Sequence, residues 1–407
     1  MRNPQINRLT AGAAKVEITP TRMGLRLGGH AVNRVAAGVR DPLYARALAL
    51  SAGDAPLVLV ALDLIGLMRG YVEKIRDRVP DLDRRRIWIC CTHTHDSPDT
   101  IGFWGPMIHE IPLRCGLDGP YMEFLQEQVS GVISKAVRNL KPARLAAASI
   151  KTPSNGLSRN VRQEGYKDDE IQVMHLRDSR ESTLALAYHY ACHPEFLGHY
   201  NRMISAEWPG VTSRLLEQKF GGVALCLQNA LGGMVTGAVS RDDGAFDPVV
   251  GQPFVSQLGC AIADYVELAL KKKSRVVEVN VIRTSQADFT LEVANRLFRI
   301  AARMKVFPPW MLENDRRSVR TEVNIARLGE LTLATVPGEA LPAVGFEIKK
   351  LLNSPFPWVV NLANDELGYL APKSYFNDPC YEYECSMSVN PEAAPRIIEE
   401  LRALMRD

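Results

Sequence analysis

The chain has 407 residues, 46% of them hydrophobic and 23% charged, with 29 Gly and 25 Pro, which is close to ordinary globular usage. That excludes a disordered, collagen-like or low-complexity chain and allows a large buried core. The formal net charge is +3 with acids and bases interspersed, so neither a nucleic-acid-binding surface nor a charged tail is expected.

The N-terminal stretch from Met1 to Thr10 has no apolar signal core. The longest apolar run, Pro56 to Met68, is too short for a bilayer and is broken by Asp63. The eight cysteines contain no CxxC pair, and Cys90, Cys91 and Cys226 sit in apolar runs where a thiol packs as a small hydrophobe. In a chain this long that points to a reducing compartment. A cytoplasmic protein with no stable membrane association follows.

Taken in chain order, strands are predicted at Leu57–Leu62, Ile87–Cys91, Leu184–His193, Gly222–Leu227, Val276–Ile282, Leu331–Val336 and Trp358–Leu362. Helices are predicted at Tyr121–Leu140, Ser256–Lys272, Ala340–Leu352 and Glu392–Met405. In the first of these, Phe124, Leu125, Val129, Val132, Ile133 and Val137 recur on one helical face. Thr236–Pro253, rich in Gly and Asp, reads as a long surface loop. The alternation of strands and helices predicts an α/β fold.

The strongest local signal is Cys91-Thr92-His93-Thr94-His95-Asp96-Ser97-Pro98, which follows directly on an apolar strand. Strand ends are where α/β folds place their sites, and residues two apart on a strand share a face. His93 and His95 are therefore candidates to meet one ion or one substrate, since neutral imidazole is a good zinc ligand. The same pair also suits an exposed polar turn. A second strand runs through His189 to Cys192-His193-Pro194, followed by Ser205-Ala206-Glu207. His189, inside the strand, reads as a core histidine, and His193, at its end, is the better ligand. Glu207 suits either an outer partner or proton carrier, or a plain N-terminal charge on the next helix. Pro337-Gly338-Glu339 aims a carboxylate at a sheet edge. Asn364-Asp365-Glu366 and Tyr381-Glu382-Tyr383-Glu384 offer others, although any one carboxylate alone is more often a solvated surface residue.

In this order the segments resemble the catalytic domain of the neutral ceramidase family. The resemblance runs through Ala14-Lys15-Val16-Glu17-Ile18-Thr19-Pro20, Gly28-Gly29-His30 and Asp41-Pro42-Leu43-Tyr44-Ala45-Arg46-Ala47 to the THTH run. It continues with Ser158-Arg159-Asn160, Cys192-His193-Pro194, Ser205-Ala206-Glu207, Pro337-Gly338-Glu339 and Tyr383-Glu384. It implies mixed β-sheets flanked by helices, as one catalytic domain over 1–407 or two intertwined halves, about 1–220 and 221–407. It implies one zinc ion per chain held by His93, His193, Glu339 and Tyr383, with His95 and Arg159 facing the substrate carbonyl or its oxyanion. Tyr381 stands two residues from Tyr383.

Departures from the family shape the expectation. The nucleophile segment, Asn-x-Gly-Asp-x-Ser in the family, corresponds to Asn229-Ala230-Leu231-Gly232-Gly233-Met234-Val235-Thr236. Gly233 stands in place of the acid, and Thr236 lies one residue out of register with the serine. The chain is also expected to lack the family's C-terminal β-sandwich domain and export signal. The expected activity is hydrolysis of a small soluble amide, ester or lactone by metal-activated water. Glu207 or Asp96 would carry the proton, Asp96, Asn229 and Tyr381 would line the substrate, and Thr236 is the one nucleophile candidate. A ceramidase acting on N-acylsphingosine and a non-catalytic ligand-binding relative are the alternatives. A small-molecule partner, no nucleic acid and a homo-oligomer complete the expectation.

Overall fold

Strands in the first part of the chain are apolar on both faces, so each face must find its own cover. Along Leu57–Leu62, Val58, Val60 and Leu62 enter one core and Leu57, Leu59 and Ala61 another, and all six are buried. Ile87–Cys91 divides the same way, with Ile87, Ile89 and Cys91 on one side and Trp88 and Cys90 on the other. The period of two along a strand makes this division.

The computed structural model describes residues 9–30, 33–108, 111–153, 157–236, 248–308, 312 and 317–406. Its largest sheet has the order Val223–Gln228, Thr183–Tyr190, Glu170–Asp178, Lys141–Lys151, Thr10–Glu17, Tyr44–Ser51, Leu57–Leu62, Ile87–Cys91, and Arg275–Val277 pairs on Lys141–Lys151 as its ninth strand. Pairing is antiparallel through the middle and parallel at both ends, where Thr183–Tyr190 meets Val223–Gln228 and Leu57–Leu62 meets Ile87–Cys91. A second sheet runs Ile282–Glu292, Ser318–Leu328, Leu331–Thr335, Phe356–Val360, its last pair parallel.

The two sheets pack face to face. Leu48, Leu59, Trp88, Met174 and Leu225 of the first meet Leu328, Leu333 and Trp358 of the second. Helix Gly119–Arg138 covers one part of the first sheet's outer face, and helices Glu207–Phe220 and Pro248–Lys273 cover the other. Helices Pro342–Leu352 and Ala393–Arg406 cover the second sheet. The result is a mixed α/β fold of four layers, with two sheets between helices. None of the described helices is long and apolar enough to cross a membrane. His189 lies between the sheets, stacked on Trp358 at 4.8 Å, with Nε2 donating to the Val359 carbonyl.

Four predicted segments differ in the structure. Val276–Ile282 is not one strand, because the chain leaves the first sheet after Val277 and enters the second at Ile282. The second strand named above ends at Tyr190, so His193 stands beyond it. Ala340–Leu352 begins its helix at Pro342, a position that suits a residue without an N–H. Of the loop read at 236–253, residues 237–247 lie outside the described residues, and the helix already begins at Pro248. Gly251 and Pro253 in its first turns hide the helical pattern. Several strands carried no signal, among them Thr10–Glu17, Tyr44–Ser51 and Lys141–Lys151, whose alanine runs read poorly as strand.

One buried ion pair ties the second sheet to the first half of the chain. Arg76 donates to both oxygens of Glu322, at 2.9 and 2.8 Å, with both side chains out of water. Glu322 also accepts from Asn364, whose own Oδ1 accepts the Ile89 N–H. Removing Glu322 leaves the buried Arg76 guanidinium with only Glu73, a partly exposed partner at 2.7 Å, and costs up to about 3 kcal/mol. Urea denaturation of Glu322→Ala should show that loss. Glu181→Ala, which breaks an exposed pair with Arg144, should cost about 1 kcal/mol or less.

Candidate metal and catalytic site

Three side chains converge where strand ends meet. His93 follows Ile87–Cys91, His193 follows Thr183–Tyr190, and Glu339 follows Leu331–Thr335. Each of these strands belongs to a parallel pair, and each side chain leaves beyond its C-terminal end, where open α/β sheets present ligands. The meeting of His93 and His95 does not come from strand periodicity. The strand has already stopped at Cys91, and His93 adopts left-handed backbone with φ 68°. A turn brings the rings to 5.0 Å between centroids.

The protonation pattern follows from the hydrogen bonds. His93 Nδ1 lies 2.6 Å from the Ile65 carbonyl, and His193 Nδ1 lies 2.9 Å from the Met234 carbonyl. A carbonyl only accepts, so both Nδ1 atoms carry protons and both neutral rings present a bare Nε2 lone pair. These two Nε2 atoms face the same oxygen, Glu339 Oε2, at 3.3 and 3.0 Å. Three acceptors pointing at one another repel unless a cation joins them. The backbone-held Nδ1–H with a free Nε2 is the arrangement that orients metal-ligating histidines. The donor set fits a divalent metal of the zinc type.

Without a metal, a proton fills that need. Burial opposes a charge on His193, but the Glu339 hydrogen bond and the charges of Glu195 and Glu339 push it up to about 9. Burial alone would raise the Glu339 carboxyl, yet His93 and His193 hold it far below the usual carboxylate range.

His95 completes a buried group. The nitrogens of His93, His95 and His193 can all lie within 4.8 Å of one another. Neither ring nitrogen of His95 has a hydrogen-bond partner, and Glu195 approaches Nδ1 only to 3.8 Å. Burial, and then the neighbouring imidazoles and Arg34, keep this ring neutral by holding its pKa well below the ordinary value. His30, which sequence reasoning did not single out for a role, packs edge-on against His95 at 4.9 Å. Gly29 allows that approach, since its φ is +100° and a Cβ there would fall 2.4 Å from the His95 ring.

The group opens into a cleft of about 650 Å³ lined by His93, His95, Glu339, Glu366 and Tyr383, with an apolar wall of Ile65, Ile101, Phe103, Trp104, Phe298, Phe307, Tyr369 and Met387. Tyr383 is 56% exposed and shares the cleft mouth with Tyr369, their rings 5.8 Å apart. Partial burial first, and then the Glu339 charge, push its phenol up to about 12.

The other candidates whose side chains are described do not line the cleft. Asp96 is buried under Arg34 (2.9 Å) and Asn201 (2.7 Å) and does not line the cleft. Glu207 is buried with Oε1 accepting the Leu197 N–H, and burial, then the Asp96 charge, hold its carboxyl well above the usual range. Asn229 donates to Asp168. Tyr381 is stacked on Tyr375 at 3.9 Å. Arg159 is exposed on the strand Ser158–Asn160, opposite Val235. Thr236 pairs its backbone with Ser158, and its side chain lies outside the described residues. Short-range motifs cannot separate a carboxylate aimed at the cleft from one bound into the scaffold. Asp96→Ala, which strands the Arg34 guanidinium, should therefore destabilise the fold by about 3–5 kcal/mol in urea denaturation. A raised KM with unchanged stability would instead assign Asp96 to the substrate.

Residues 9–305 match the family of the neutral/alkaline non-lysosomal ceramidases, N-terminal part. The fold is similar to the crystal structure of neutral ceramidase from Pseudomonas aeruginosa, with a TM-score of 0.79 and 16% identity over 98% of this chain and 75% of that one. It is also similar to a structure of ceramidase complexed with C2, at TM-score 0.78 and 15% identity, over 98% and 75% of the two chains. At such identity the likeness is one of fold.

Proposed function

The chain belongs to the neutral/alkaline non-lysosomal ceramidase family, and from that premise we propose that it is a metal-dependent hydrolase of a compact amide or ester carrying one apolar group. The observation that carries this reading is the convergence of two bare imidazole Nε2 atoms on Glu339 Oε2. In our assignment His93, His193 and Glu339 hold one zinc ion per chain, with Tyr383 at the open side. Bound there, the ion supplies Lewis acidity that polarises a scissile carbonyl and acidifies water.

The chain's own groups do the rest. The Ile65 and Met234 carbonyls fix the tautomer and orientation of His93 and His193. The neutral ring of His95, free of other partners, keeps one N–H to donate to the oxygen that gains charge. The aromatic wall takes the apolar group and keeps water from the reacting bond. Asp96 and Glu207 stay out of this reading, since neither lines the cleft, Asp96 Oδ1 is held by Arg34 and Asn201, and Glu207 accepts backbone N–H groups. A dispersed N-acylsphingosine is the second reading, favoured by the same apolar wall. The thiols of Cys90, Cys91, Cys192 and Cys226 pack as core hydrophobes, which supports a cytoplasmic setting.

Metal analysis of the purified protein should find one zinc ion per chain, absent from His93→Ala and His193→Ala, with turnover lost alongside. Full occupancy in either variant would sink the ligand assignment. A panel of short N-acyl amides and simple esters beside long-chain ceramide would identify the substrate. We further propose that no acyl-enzyme forms. Thr236→Val should keep turnover within a few-fold, whereas a fall of several orders of magnitude with metal retained would make Thr236 the nucleophile.

A further inference from the structure

Amide hydrolysis needs a group that moves a proton from the attacking water to the leaving nitrogen. Among the described residues two carboxylates line the cleft, Glu339 and Glu366. Glu339 is occupied by His93 and His193. Glu366 is not. It is 6% exposed, its Oε1 accepts the Gly368 N–H at 3.0 Å, and its Oε2 is buried with no partner. A buried carboxyl oxygen without a partner is costly, and such a group needs a reason to be there.

The segment that carries it is fixed on all sides. Leu362 and Asn364 both hold left-handed backbone, with φ 53° and 65°, conformations that persist only when the surroundings enforce them. The Asn364 side chain is locked to Ile89 and Glu322. Asp365 Oδ1 accepts from the backbone N–H of both Arg69 and Glu366, each at 2.9 Å. Gly66 leaves room for Ile101 and for the carboxyl, since a Cβ there would stand 2.9 Å from Ile101 Cδ1, 3.1 Å from Glu366 Cγ and 3.3 Å from Oε2.

We propose that Glu366 is the proton carrier of this site, a role that rests on the hydrolase reading above. As the water oxygen bonds to the carbonyl carbon, one water proton passes to Glu366 Oε2. As the carbon–nitrogen bond breaks, Glu366 returns that proton to the leaving nitrogen. Amide and water become carboxylic acid and amine, and Glu366 ends as it began.

The test is Glu366→Gln, which keeps the acceptor for Gly368 and cannot carry the proton. With metal content equal to wild type, kcat on a short N-acyl amide should fall roughly 100-fold or more, with KM nearly unchanged. On a p-nitrophenyl ester, whose leaving group needs no proton, the fall should be much smaller. Glu366→Asp should recover part of the amide activity. Unchanged amide turnover, or equal losses on amide and activated ester, would overturn the proposal. Loss of metal in Glu366→Gln would also overturn it, by making the carboxylate an ion ligand. A metal-loaded wild type inert on both substrates would sink the hydrolase reading itself, an outcome separate from a working wild type with an indifferent variant. Should Glu366→Gln not fold, Glu366→Ala is read the same way, with loss selective for the amide expected and equal losses counting against the role.

Discussion

Three lone pairs aimed at one another organise this protein. Bare Nε2 atoms of His93 and His193 face Glu339 Oε2 inside the fold, and the arrangement is tolerable only around a positive charge. The backbone carbonyls of Ile65 and Met234 occupy the Nδ1 protons, so neither ring can turn over and quench the carboxylate by itself. The cost of such a centre has to be met by the scaffold, and the four-layer packing of apolar strands and helices is what holds it.

That packing also explains how distant segments arrive together. The antiparallel middle of the large sheet carries none of the three groups, and the parallel strand pairs carry them all. In a parallel pair both strands finish at the same edge, so the loops beyond them gather there. Stacking two sheets face to face then brings three such edges to one place. Two buried ion pairs hold the parts together: Arg34 with Asp96 fixes the turn after His95, and Arg76 with Glu322 ties a helix of the first half to the second sheet.

The cleft has two unlike walls. One side is imidazole, carboxylate and phenol, and the other is aromatic and aliphatic. A substrate with a polar reacting bond and an apolar neighbour fits both at once, which agrees with membership of the neutral/alkaline ceramidase family. Glu366 gives the polar wall a second carboxylate, held by a strained and heavily hydrogen-bonded turn.

The α/β class, the strands before His93 and at Leu331–Thr335, and the histidines of THTH and CHP were legible in the sequence, because period-two and strand-end patterns are local properties of the chain. Glu339 was legible for the same reason, as a turn following an apolar strand. What the sequence left open was which acids and tyrosines reach the cleft. Asp96 and Glu366 are both acidic residues in turns after apolar strands, and nothing within ten residues of either distinguishes them. Arg34, more than sixty residues upstream, captures Asp96, while no cation is given to Glu366 Oε2. The alanine-rich strands were invisible for a related reason, since their strand character comes from neighbours in the sheet and not from their own side chains. Local periodicity fixes elements and strand ends, whereas the charge partner of a buried group is chosen by residues far away in the chain, and only the tertiary structure brings those together.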